Sequence, residues 1–155
     1  MMNIGELCIR NTFIIQKDEN IVEAAKLMRV FNVGDLIVVT QAKEGNTPIG
    51  ILTDRDIVMH VVADESDPKS VKVADIMSKE LVTGSEADGI YESIEQMRTH
   101  GIRRLPVVDK KGHLAGILSV DDILEFLGEE VSSLIGLVYR EQGLKPGGAG
   151  GDEKV

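Results

Sequence analysis

One cysteine, Cys8, stands in 155 residues, which excludes an intrachain disulfide framework and any zinc site built on paired cysteines. Tryptophan is absent, and two tyrosines with three phenylalanines supply no stacking platform for single-stranded nucleic acid. Positive charge is in the minority: 17 Lys and Arg against 26 Asp and Glu leave a formal charge of −9, the wrong sign for a general grip on nucleic-acid phosphates or an anionic membrane. No apolar run approaches the roughly 18 residues of a membrane span. The start, MMNIGELCIRN, has neither the basic opening nor the apolar stretch of a secretion signal. A reducing cytoplasm is the expected compartment. The three histidines, His60, His100 and His113, match no metal-ligand spacing, and no metal is expected.

What the chain does have is a pattern written twice. GILTDRDI at residues 50–57 returns as GILSVDDI at 116–123, IVEAAKLM at 21–28 as IYESIEQM at 90–97, and VGDLIVV at 33–39 as IRRLPVV at 102–108. Ile21, Ala24, Ala25 and Met28, like Ile90, Ile94 and Met97, recur at helical spacing and describe one buried stripe each. LIVV and LPVV are short β-branched runs, each followed by a turn and a second apolar run, so they read as strand pairs. The first copy is the longer between these strands, and the surplus falls in TQAKEGNTP, residues 40–48, which predicts a lengthened hairpin turn. After each glycine octet the pattern turns helical, with Ile57 and Val61 in one copy and Ile123, Leu124 and Leu127 in the other.

The expected fold is therefore α/β (α+β): two pseudo-symmetric β-α-β-β-α repeats, at residues 5–66 and 76–136, packed on each other through their sheets because neither can bury its helices alone. Residues 67–75 are the linker. A helical extension is expected to about residue 142, with Leu127, Val131, Leu134 and Val138 on one side, offering a face to a partner. The Gly-rich stretch 145–155 is expected to be disordered.

Each octet carries a hydroxyl and, three residues on, an acid: Thr53 with Asp56, and Ser119 with Asp122. Two readings fit. At a strand-to-helix junction the pair is a capping box, satisfying backbone N–H groups at the helix start. The same place lines the crevice where sheet proteins seat ligands, and there a carboxylate accepts two hydrogen bonds from a vicinal diol such as ribose. Arg103 and Arg104, adjacent at the mouth of a strand, can fork onto phosphate oxygens, or else stand as exposed charges that protect a strand edge. Gly34 and Asp35 hold the equivalent places in the first copy, so the repeats are chemically unequal. Asp121 and Asp122 are accompanied by no nucleophile or oxyanion donor, and no catalytic residue is assigned.

Taken together, LIVV…GILTDRDI and RRLPVVD…GILSVDDI, each preceded by a helix ending in Met, resemble a tandem of cystathionine-β-synthase (CBS) domains, a Bateman module, over about Gly5 to Gly136. The resemblance implies a stand-alone, non-catalytic regulatory module that binds AMP, ADP or ATP between the repeats and forms a homodimer. An S-adenosylmethionine sensor and a structural scaffold with no nucleotide ligand are its alternatives. It assigns ribose to Thr53 and Asp56 in one cleft and to Ser119 and Asp122 in the other, and phosphate to Arg103 and Arg104. By the cross-packing of such modules, Thr12, Val33 and Gly34 would face adenine in the cleft of Asp122, and Leu81, Val82 and Ile102 in that of Asp56. With Gly34 and Asp35 in place of arginines in the first copy, one better site is expected, anchored by Asp122. The regulated partner is not legible.

Overall fold

The computed structural model describes residues 2–143, and the expected disorder at 145–155 lies outside them. The chain divides into two compact units. Met1–Val120 holds both sheets, and the second unit begins at Asp121.

In the first unit the elements follow one another twice. A one-turn helix α1 (Ile4–Leu7) leads into strand β1 (Ile14–Gln16), helix α2 (Ile21–Phe31), the hairpin β2 (Asp35–Ala42) and β3 (Gly45–Thr53), and a short helix α3 (Asp54–Ile57) that continues as a π-helical turn, Val58–Val62. The second series is α4 (Val73–Ile76), β4 (Gly84–Ser85), α5 (Ile90–His100), β5 (Arg104–Val108) and β6 (Leu114–Ser119). Each copy thus forms a three-stranded sheet, ordered β1-β2-β3 and β4-β5-β6, parallel in the first pair and antiparallel in the second. Both hairpins carry an irregularity at the matching place, between Val38 and Val39 and between Val107 and Val108.

Four successive residues of β2, Leu36 to Val39, are at most 1% exposed. Side chains alternate across a strand, so a run buried at every position means a sheet covered on both faces. Leu36, Val38 and Leu52 join Ile21, Ala24 and Met28 of α2 in one core. Between the sheets, β3 lies against β6, which is the packing of one copy on the other that the sequence leads one to expect.

Helices α2 and α5 end alike. Asn32 and Gly101 adopt left-handed backbone, at φ 52° and 63°, and the next amides, Val33 and Ile102, reach back to the carbonyls of Met28 and Met97, at 3.0 Å in each case. This is a Schellman closure. It turns the chain sharply into the strand that follows.

Two features depart from the sequence reading. The surplus of residues 40–48 does not lengthen the turn: β2 and β3 pair as far as Ala42 with Gly45, so the extra residues lengthen the strands and leave a two-residue turn. Backbone pairing recovers a hydrogen bond for residues that a loop would leave to water. Lead-in helices α1 and α4 were also not anticipated, and they are exchanged. The amide after α4, Ser78, donates to Ile51 of β3 (2.9 Å), and Val73 donates to Glu19 (2.8 Å). After α1, Ile9 and Ile117 of β6 exchange both backbone bonds, at 2.8 and 3.0 Å. Each repeat is completed by the segment that precedes the other.

The second unit contributes the greater part of α6, Val120–Glu141, the long helix expected from the sequence. Leu124, Leu127, Val131, Leu134 and Val138 recur along it at three and four residues, and every one is exposed, from 38% at Leu127 to 64% at Leu134. No helix among the described residues is long and apolar enough to cross a membrane.

Candidate functional site

Thr53 is the last residue of β3 and the cap of α3. Its backbone N–H donates to Asp56 Oδ2 at 2.9 Å, its hydroxyl donates to the same oxygen at 2.8 Å, and the Asp56 N–H donates back to Thr53 Oγ1 at 3.1 Å. The capping box is therefore formed. Its geometry decides what else the pair can do. Every one of these contacts to the carboxylate ends on Oδ2; among the described residues Oδ1 receives no hydrogen bond. Capping and ligand binding, set against each other in the sequence, use different oxygens of one side chain.

The same contacts occupy the start of α3: the amides of Arg55 and Asp56 are already held by Asp54 Oδ1 (2.8 Å) and Thr53 Oγ1. Positive charge for a phosphate has to come from side chains.

It does so from the other repeat. A cleft of about 250 Å³ is lined by Thr53 and Asp56 with Ile102, Arg103 and Arg104, and also by Asp35, Ile51 and Ser78. The Schellman turn at Gly101 delivers Ile102 and the two arginines to this place, and the carbonyl of Arg103 accepts from Val120 (3.0 Å) as that of Gly34 accepts from Asp54 (2.9 Å). Arg103 and Arg104 line the cleft of Asp56, whereas the sequence reading looked to Asp122 for the better site. The reason is the crossing of the repeats, which carries the strand mouth of the second copy to the octet of the first.

Ser119 ends β6, and Asp122 stands in the first turn of α6; both are half-buried. Thr12, Val33 and Gly34, assigned to that second cleft, are half-buried too and do not line the first. Leu81 and Val82 are half-buried ahead of β4 and are not among the lining residues of the Asp56 cleft, so of the three positions assigned to adenine there only Ile102 is present.

Three lining residues escaped the sequence reading. Ile51 precedes the core residue Leu52 and, by strand alternation, turns to the opposite side. Ser78 comes with the exchanged segment after α4, which no periodicity signals. Asp35, noted only as the counterpart of an arginine, makes an ion pair with Arg104, Oδ1 to Nε at 3.0 Å, with its side chain 13% exposed. Burial pushes the Asp35 carboxyl above the usual carboxylate range, against the pull of the Arg104 guanidinium, and Asp54 adds to the rise. The charged form of Asp35 is thus a net cost to the fold, as buried ion pairs often are. Asp35→Asn is expected to raise the midpoint of thermal unfolding at neutral pH. The gain is complete above the raised folded-state pKa, fades as pH falls from there toward the ordinary value of about 4, and is gone below it, where folded and unfolded chains are both protonated; melting curves from pH 7 to pH 3 check it.

No group of three or more His, Cys, Asp or Glu suited to a metal ion occurs among the described residues. Cys8 is buried.

The CBS domain family model matches residues 4–63 and 73–129. An uncharacterized protein of Methanopyrus kandleri is 38% identical over 124 residues, 80% of this chain, and the chain spans 62% of that relative's length. The CBS domain-containing protein YhcV of Bacillus subtilis is 34% identical over 123 residues, 79% of this chain and 84% of its own. Among solved structures, a CBS domain pair in complex with 5-methylthioadenosine and S-adenosyl-L-methionine superposes with a TM-score of 0.69 at 22% identity, covering 84% of this chain and 98% of that one. That last likeness carries the fold alone.

Proposed function

The chain belongs to the CBS domain family, and from that premise we propose that it is a non-catalytic regulatory module taking an adenine nucleotide, AMP, ADP or ATP, in the cleft of Thr53, Asp56, Arg103 and Arg104. One observation carries the reading: a carboxylate oxygen with no protein hydrogen bond and two guanidinium groups from the other repeat line one cleft of nucleoside dimensions. Asp56 Oδ1 accepts a ribose hydroxyl, Thr53 supports it, Ile102 and Ile51 give the base an apolar wall, and the arginines meet phosphate. Because the cleft is built from both repeats, a ligand there biases their arrangement by its differential affinity, and that bias is what a regulated partner reads.

Titration calorimetry with adenosine, AMP, ADP, ATP and S-adenosylmethionine tests the proposal. Saturable binding of an adenine nucleotide supports it. Heats no larger than dilution up to millimolar ligand contradict it and leave the scaffold reading, which the closed capping box favours. S-adenosylmethionine binding ahead of every nucleotide points instead to a sulfonium sensor. Incubation of pure protein with ATP is expected to give no hydrolysis.

A second copy of this chain is the proposed partner of α6. Val131 and Val138 occupy one position of its 3-4 repeat and Leu127 and Leu134 the other, the arrangement that favours two-stranded pairing. Leu134→Glu is expected to convert a homodimer to monomer in light scattering; an unchanged mass would place the dimer contact elsewhere. The cytoplasm remains the proposed location, in keeping with a chain that carries a single cysteine, Cys8.

A further inference from the structure

We propose that Asp35 is a specificity-determining residue that selects nucleoside monophosphates over triphosphates in the Asp56 cleft, by standing as a built-in counter-ion to Arg104. The inference rests on the ligand reading above and narrows it to a class of ligand.

Charge in a confined place makes the selection. Two acids, Asp35 and Asp56, and two bases, Arg103 and Arg104, line the cleft. The fixed charges there cancel. Asp56 is committed to the cap of α3 through one oxygen and to sugar through the other, so its charge stays. Arg104 is already paired at 3.0 Å with a carboxylate that is 13% exposed and therefore cannot swing into water to make room. Asp35 stands at the head of β2, its backbone paired opposite Thr53, and that register fixes it beside the capping box. Behind it, Asp54 closes the position: a Cβ on Gly34 would lie 3.2 Å from Asp54 Oδ2.

A phosphate that reaches Arg104 must share the guanidinium with Asp35. One phosphate can do so, since the fork of an arginine serves two acceptors at once and Arg103 lies next in the chain. Each further phosphate adds negative charge with no further base lining the cleft, and stands near the carboxylate of Asp35, whose one counter-ion is already shared. Like charges placed together in a recognition site are a common means of rejecting a near-identical ligand. The pair that costs the fold stability thus supplies discrimination.

The test compares wild type, Asp35→Asn and the double variant Asp35→Asn/Arg104→Gln, titrated with adenosine, AMP and ATP in EDTA so that magnesium does not mask the triphosphate charge. Wild type is expected to bind AMP more tightly than ATP. Asp35→Asn is expected to raise ATP affinity relative to AMP by about tenfold, with a steeper salt dependence, as removal of one nearby like charge implies. The double variant is expected to lose that gain. A change in fold alone would move adenosine, AMP and ATP together. Saturable adenosine and AMP binding with the same AMP-to-ATP ratio in wild type and Asp35→Asn overturns the role of Asp35 and leaves the ligand reading intact. Failure of wild type to bind adenosine or AMP at all overturns the ligand reading, and this inference with it.

Discussion

Asp56→Ala is expected to lower AMP affinity about 10- to 150-fold, the equivalent of roughly 1.5–3 kcal/mol for a hydrogen bond to a charged group. Because Asp56 also closes the capping box through Oδ2, the variant should lose about 1 kcal/mol of stability as well. Two readouts therefore separate the two jobs of one carboxylate. Thr53→Ala removes the hydroxyl that the cap uses and leaves Asp56 in place; it is expected to lose similar stability and far less affinity. Loss of stability in Asp56→Ala with AMP affinity intact would mean that the acid is a cap and nothing more.

The second large effect concerns the glycine that opens each octet. A Cβ on Gly50 would lie 2.5 Å from the Ser78 carbonyl oxygen, and one on Gly116 would lie 2.6 Å from Cys8 Sγ and 2.8 Å from the Ile9 carbonyl oxygen. These are the seams where the exchanged lead-in segments join β3 and β6. A backbone carbonyl cannot turn aside as a side chain can, so Gly50→Val should cost about 3 kcal/mol, the upper end of the usual range for overpacking, or more. Chemical denaturation measures it. Moving Ser78 also moves a lining residue of the cleft, so AMP affinity should fall together with stability. A variant as stable as wild type would show that the lead-in segment does not grip the other repeat.

The repeated octet serves packing and chemistry together. The glycine admits a neighbouring backbone, Leu52 and Leu118 fill the two cores at 0% exposure, and Thr53 and Asp56 cap a helix while leaving one oxygen over. The repeats, the helix stripes and the strand pairs were legible because each repeats an apolar pattern that burial demands, and the long last helix because its apolar residues recur at helical spacing although they stay exposed. The exchange of α1 and α4 was not, because a one-turn helix is too short to show a period, and the backbone bonds that place it involve no particular side chain. The same blind spot hid Ser78 and the meeting of the arginines with Asp56 in one cleft. Whether an arginine serves its own repeat or the other is a matter of how the repeats cross, and no local pattern records it. Asp35 was seen as a missing arginine; only its 3.0 Å approach to Arg104 shows it as part of the cleft.

The most direct test of the central claim is to follow the backbone amide resonances of the isotope-labelled chain as AMP is added. The account requires saturable shifts concentrated at Thr53, Asp56, Ser78 and Ile102 to Arg104, residues far apart in sequence that line one cleft, and their loss in Asp56→Ala. Shifts absent at millimolar AMP, or confined to residues elsewhere, would contradict it.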